Sequence, residues 1–399
     1  MPSLKPFHGV RYSSSFKAAA VTCPPYDIIS PADQLALYDR DAHNAVRLEL
    51  PAGDATARYE SAAATFEKWQ AEGALVADEQ PALYVYRQDF VHDGMPRRVT
   101  GVIGALRLEP FGETSGVLPH ERTMEGPKAD RLALMEALPV NVSPIYAIYR
   151  GGGGVTEFLD ALEQRPTAMR FEDGERILHR LWVITAPAEV DLLAGDVAAH
   201  PLVIADGHHR YETALLYARA HDTPEAGSIM CYCVDADAAQ LIVLPYHRML
   251  KGAAVGDALA TSDPLAPEAD PQEVLESSKA DHPFVFATRR GRYLVEVSDD
   301  EVVNAVGDRD ASWRKLDVVA LHEALLPRLV PDAEVVGFSK DARAVETAVS
   351  TGEIDCGVLL RSLQASDVVD VARSGERMPQ KASYFWPKAV TGLVFHPLK

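Results

Sequence analysis

The run Leu202-Val203-Ile204-Ala205-Asp206-Gly207-His208-His209-Arg210-Tyr211-Glu212 leaves a folding chain few options. Four apolar residues read as a buried strand, and Asp206 stops it. Gly207 permits a tight turn, after which Tyr211, Ala214, Leu215 and Ala218 share one face of a helix. A strand that feeds a helix within two residues implies an α/β (α+β) chain with mixed sheets. The first amides of a helix lack an internal partner and carry the positive end of its dipole, so such a turn favours an anion. His208 and His209 add donors, and the planar fork of Arg210 suits phosphate or carboxylate. An Asp-capped helix whose histidines are exposed by chance is the plainer alternative.

The rest of the chain supports mixed sheets. Leu83–His92 alternates, Asp93-Gly94 is a tight-turn pair and Arg98–Leu108 returns, which predicts a hairpin. Ser30-Pro31 opens a helix, another fits Ala57–Gly73, and the loop from Gly116 to Lys128 leads into a helix over 129–138. A strand is expected at Ser143–Tyr149. The glycines 151–154 read as a flexible loop, because a phosphate loop needs a lysine and a hydroxyl at fixed spacing. Short strands are expected at 180–185, 229–234 and 241–245, a hairpin at 284–297 turning at Arg290-Gly291, and a helix at 316–326 ended by Pro327. Two regions follow: 1–150, an N-terminal α/β region with the Glu121 loop, and 151–399, an α/β region with the Asp206–Arg210 turn. The core is expected to be discontinuous, drawing on the 100s and on 180–250.

Charge narrows the partners. Lys and Arg number 39 and Asp and Glu 58 in 399 residues, a formal charge of −19. That field repels phosphate backbones and anionic lipid, so no nucleic acid and no membrane is expected as a partner, whereas a local basic pocket still admits a small-molecule substrate and a nucleotide. No stretch reaches the ~18 apolar residues of a membrane span, and the expected location is cytoplasmic. Four cysteines are too few for a disulfide framework. Cys231 and Cys233 would share a strand face; core packing accounts for them better than metal binding or redox chemistry.

Three further groups can carry chemistry. Pro119–Lys128 crowds His120, Glu121, Arg122 and Lys128 into one loop; Glu121 suits a general base toward a hydroxyl, and Arg122 and Lys128 suit phosphate oxygens. Pro24-Pro25-Tyr26-Asp27 is a stiff turn able to present Tyr26 and Asp27 to a pocket. His247 and Arg248 follow a strand, and Lys381 and Lys388 lie in an aromatic segment, where either can reach an anion. Each group also has a plainer reading, as a solvated loop, packing, or a buried ion pair.

Six ordered runs carry a resemblance: PPYDIIS, LPHERTMEGPKADRLAL, NVSPIYAIY, IADGHHRYETAL, LPYHRML and MPQKASYFWPK. Together they are similar to the bacterial and archaeal family called domain of unknown function 1015, from about residue 5 to 398. Ala382 departs from it, standing where a serine is expected. The D-G-H-H-R run also resembles the helix-start turn of the ParB/sulfiredoxin superfamily, which implies a ParB/sulfiredoxin-like nucleotide-binding core beside an additional α/β region. His208 stands where sulfiredoxin carries its cysteine, which argues against that chemistry, and the acidic charge argues against a DNA-binding ParB protein. The free serine kinases of the superfamily imply a nucleotide-dependent phosphotransferase acting on serine or phosphoserine, with Mg²⁺ and ATP or ADP. They imply Glu121 as base, Gly207 and Arg210 on phosphate, His208 and His209 as donors to the transferred group, and Asp206 on the metal. The resemblance further implies a link with serine biosynthesis. Two alternatives stay open: a phosphohydrolase for phosphoserine or another small phosphate, metal-dependent or not, and a non-catalytic nucleotide or amino-acid sensor.

Overall fold

The computed structural model describes all residues except 55, 113, 122–124, 253–258 and 260–263. Two compact units result. The first is residues 1–119, 123–241 and 387–399, and the second is 120–122 and 242–386. The division therefore falls elsewhere than at residue 150, and Glu121 belongs to the second unit. The reason is strand pairing: Met95–Arg107 lies between Leu83–His92 and Ser228–Asp235, which holds residues on either side of 150 in one sheet.

Among the described residues the first unit carries a nine-stranded mixed sheet. From one edge its order is Val117–Pro119, Leu202–Asp206, Ile145–Tyr149, Ser228–Asp235, Met95–Arg107, Leu83–His92, Leu178–Ile184 and Met169–Glu172, and Leu4–Lys5 pairs with Met95–Arg107. The expected hairpin is present, with Asp93 (φ 50°) and Gly94 (φ 72°) in the left-handed geometry that matches strand twist. The helix after the Glu121 loop begins earlier than expected, at Glu125, and runs to Ala137. Ser30 caps Pro31–Arg40 in a box with Asp33. Cys231 and Cys233 sit together in the core, their sulfurs 3.5 Å apart as free thiols, and burial pushes the Cys231 thiol well up. The glycine turn at 151–154 is filled by the chain itself: Gly151 and Gly153 donate to the Asp235 carboxylate.

In the second unit an antiparallel sheet runs Gly291–Val297, His282–Thr288, Cys356–Leu359, His247–Lys251 and Glu334–Ser339. Ile242–Leu244 pairs separately with Tyr384–Trp386. Pro327 does not end its helix. Asp317–Val319 widens into a π segment, Ala320–Leu325, and the chain continues through Leu326–Leu329. Proline lacks an N–H and crowds the carbonyl four residues back, and a wide turn ahead of it relieves both problems. Elements that were not expected include the helices Pro187–Ala198, Asp299–Val306 and Ala365–Arg373 and the strands Met169–Glu172, His247–Lys251 and Glu334–Ser339.

Close packing gives a first prediction. A Cβ on Gly101 would lie 2.4 Å from the Cys233 carbonyl oxygen, and backbone in a central strand cannot yield cheaply. Gly101→Ala is expected to lower stability by about 1–3 kcal/mol in urea unfolding; an unchanged midpoint would contradict the packing of these two strands.

Candidate functional site

The strand Leu202–Asp206 shifts register at its end, between Ile204 and Asp206, and the chain turns at Gly207 (φ 92°, ψ 27°) into the helix His208–Ala220. A bulge at this point re-aims the last side chain of the strand. Gly207 supplies no side-chain cap, and the first helical turn contains no acid. Tyr211 makes the first backbone bond of the helix, to Gly207 O.

Asp206 is the centre of the turn. Its Oδ1 accepts from Lys388 Nζ, and its Oδ2 accepts from Arg210 Nη2 at 2.7 Å. Burial alone would raise the carboxyl; Lys388 first and then Arg210 outweigh it and hold the group at about 2. Arg210 also donates through Nη1 to Ser143 Oγ (2.9 Å) and Pro144 O (2.6 Å). Both terminal nitrogens of its guanidinium are thus bonded within the protein, and its Nε has no hydrogen-bond partner among the described residues. The space above Gly207 is filled as well, since a Cβ there would lie 2.8 Å from Ile145 Cγ2 and 3.1 Å from Arg210 Nε. Arg210 is a positioning residue that braces Asp206 against the start of the strand Ile145–Tyr149.

The Pro24–Asp27 turn belongs to the same cluster. Tyr26 N donates to Glu49 Oε1 (3.1 Å), and Ser143 Oγ donates to the same oxygen (3.0 Å) while accepting from Arg210. The Arg131 guanidinium stacks on the Tyr26 ring at 4.2 Å and donates to Glu49 O. Burial pushes the Tyr26 hydroxyl up to about 12, with Arg210 pulling against it. Asp27 adds negative charge toward Arg210. Glu49, Arg131 and Ser143 escaped the sequence reading. Glu49 is buried in a four-residue helix (Val46–Glu49) with no motif around it, and only Ser143 lay in a marked run, NVSPIYAIY.

His208 is buried and its charge bears on Asp206; His209 is half-buried on the same turn. Lys128 does not stand open to phosphate, because its Nζ lies 3.2 Å from Glu212 Oε2. Both oxygens of Asp206 carry cations, so the donor set does not fit a protein-held Mg²⁺. Among the described residues there is no group of three metal-ligating side chains.

The second unit gathers the other candidates. Glu121 bridges to Met378, and Arg377 donates to Glu121 O (3.2 Å). His120 Nε2 is 3.0 Å from Ser383 Oγ. Arg248 is fully buried: Nε donates to His322 Nε2 (2.9 Å), and Nη1 donates to Tyr246 O and to Lys381 O (3.1 Å). Its Nη2 has no hydrogen-bond partner among the described residues. Burial draws the guanidinium down to about 10, and the negative charge of Glu121 opposes this. A buried guanidinium without a carboxylate hydrogen bond is costly unless an anion completes it. Burial first and Arg248 second push His247 to about 4, so its neutral ring accepts from Leu360 N, a structural task. Lys381 has φ 54°, and its ammonium lies 5.2 Å from the Tyr246 ring centre. Arg122 lies outside the described residues.

The Asp206 arrangement fixes an acid response. Its carboxyl is held at about 2, below the ordinary 3.8, so its contribution is complete above pH ~4 and is lost as pH falls toward the folded value. Lys388→Met is expected to raise the folded-state value and shrink the stability gained across that window, measured by urea unfolding at a series of pH values. The same gain in variant and parent would show that Lys388 does not hold Asp206.

Comparisons with known proteins come to the following. No match is found among curated proteins. Among solved structures, a free serine kinase in complex with AMP is 13% identical, covering 68% of this chain and 83% of that one at a TM-score of 0.35. A conserved hypothetical protein from Pyrococcus furiosus is also 13% identical, covering 71% and 90% at 0.34. SbnI from Staphylococcus aureus, truncated at its C-terminus, is 12% identical, covering 74% and 87% at 0.36. The family described as protein of unknown function DUF1015 matches residues 4–319, most of the chain, and the protein belongs to that family.

Proposed function

We propose that this protein is a nucleotide-dependent phosphotransferase that moves a phosphoryl group between a nucleotide and free serine or phosphoserine. The observation that carries the reading is the start of the helix His208–Ala220, which has no side-chain cap and no acid in its first turn, and has Lys388 and Arg210 gathered on Asp206 just before it. Amides at a helix start and adjacent cations together attract phosphate oxygens. Serine enters through the resemblance of the D-G-H-H-R turn to that of the free serine kinases.

In this reading the helix-start amides and Lys388 take the nucleotide phosphates, with His208 and His209 donating to the transferred group. Arg210, and with it Tyr26 and Asp27, holds the turn in shape. The resemblance to the free serine kinases assigns the base to Glu121, which would take the proton of the serine hydroxyl; the serine oxygen bonds to phosphorus as the bond to the leaving phosphate breaks, so ATP leaves as ADP, or ADP as AMP. Arg248 supplies its open Nη2 to a carboxylate or phosphate, beside Lys381. No residue of the turn is assigned to Mg²⁺, which would enter only as the counter-ion of the nucleotide. A cytoplasmic enzyme working on small molecules, with no nucleic-acid partner, fits the acidic chain.

Phosphorus NMR with Mg²⁺ tests the proposal in four mixtures: serine with ATP, serine with ADP, phosphoserine with ADP, and phosphoserine alone. Phosphoryl exchange with nucleotide is expected in at least one of the first three, and Glu121→Gln is expected to slow it by about 10²-fold or more. Free phosphate from phosphoserine alone would make the protein a phosphohydrolase, and silence in all four tubes would remove serine from its function.

A further inference from the structure

The first unit holds a cavity of about 540 Å³ at one end of its sheet, lined by residues that the phosphotransferase reading does not use. Strand register builds its floor. Lys5 lies opposite Ala105, and Ser228 lies opposite Arg107. Directly opposed residues share a sheet face, and so do residues two apart, so Lys5, Ala105, Arg107 and Ser228 all project to one side. Ala105 is the small member of the set, which leaves a depression between two cations.

Both cations are exposed. Among the described residues, Lys5 and Arg107 have no carboxylate partner, and Glu225 is the acid beside them in the lining. The wall includes a buried histidine. His396 is 3% exposed, its Nε2 lies 3.2 Å from Ser228 Oγ, and its ring packs on Phe7 at 4.4 Å. Burial pushes it down to about 4, so the ring is neutral at pH 7. Its Nδ1 has no hydrogen-bond partner among the described residues. A buried ring nitrogen left open in this way has lost its water without gaining a bond. Phe7, Pro81 and Pro224 supply apolar wall, and His8, Gln70, Glu225 and Lys399 also line the cavity.

We propose that this cavity binds a small organic anion with an apolar body, its acidic head between Lys5 and Arg107 and its body against Phe7 and the prolines. Such a pocket pairs an apolar wall with a few placed polar groups, the usual make-up of a small-molecule site. It is separate from the nucleotide assignment and stands or falls without it.

The test uses the full chain and the fluorescent aromatic sulfonate 8-anilinonaphthalene-1-sulfonate. Saturable binding is expected, at least tenfold weaker in Lys5→Glu/Arg107→Glu and weaker at raised salt. Benzoate is expected to displace the probe and benzyl alcohol to fail. Excess ATP is expected to leave it in place, which separates this site from the nucleotide one. Lys5 and Arg107 are exposed, so the double variant is expected to keep its far-UV circular dichroism; Lys5→Gln/Arg107→Gln repeats the comparison without charge reversal. Binding that is absent, that both double variants retain, or that ATP or benzyl alcohol abolishes would overturn the proposal.

Discussion

The carboxylate of Asp206 is the point on which the first unit's candidate site depends. It takes Lys388 on one oxygen and Arg210 on the other, and Arg210 passes the connection on to Ser143 and the Pro144 carbonyl. One ion cluster thereby ties the end of one strand to the start of its neighbour and to the segment that returns to the first unit at Pro387. A buried charge is tolerable only when fully paired, and here the carboxylate is paired twice. The cost is that both terminal nitrogens of Arg210 are committed to the protein, which leaves its Nε as the one guanidinium nitrogen without a hydrogen-bond partner among the described residues.

The second unit shows the opposite economy. Arg248 is buried with Nε and Nη1 satisfied and Nη2 open, and no carboxylate is hydrogen-bonded to it. Its surroundings are His322, two carbonyls and the face of Phe338 at 4.9 Å. A guanidinium in such surroundings keeps its charge only with difficulty, and an anionic group arriving at Nη2 would be held more strongly than on the surface. The two arginines marked by the sequence differ in their partners: Arg210 pairs with the Asp206 carboxylate, Arg248 with a histidine and two carbonyls, and each keeps one nitrogen without a hydrogen-bond partner among the described residues, Nε in Arg210 and Nη2 in Arg248.

The same accounting separates anion-like features that are filled from those that are open. The Gly151–Gly154 turn is rich in amides, yet Asp235 already occupies them. Lys128 lies near the start of the helix Glu125–Ala137, and Glu212 holds it. Lys5 and Arg107 show no such partner, and a cavity lies between them.

Local pattern determined a good deal by itself. The strand–Gly–helix passage at Asp206–Arg210, the Asp93-Gly94 hairpin, the Ser30 cap and the shared face of Cys231 and Cys233 all follow from neighbouring residues, because turn geometry and two-residue alternation are local properties. The strand-to-helix turn that carries the candidate residues was legible in the same way, and the family could be read from its ordered runs. Only the tertiary structure decided what those residues touch. Sequence could not show that Arg210 would turn inward to Asp206, that Glu49 would join Tyr26 to Ser143 across 94 residues, that the helix would pass Pro327 through a π turn, or that Glu121 would fold with the second unit. Each outcome depends on pairing between distant segments: a side chain's type sets which bonds it can make, and burial among particular neighbours sets which ones it does make.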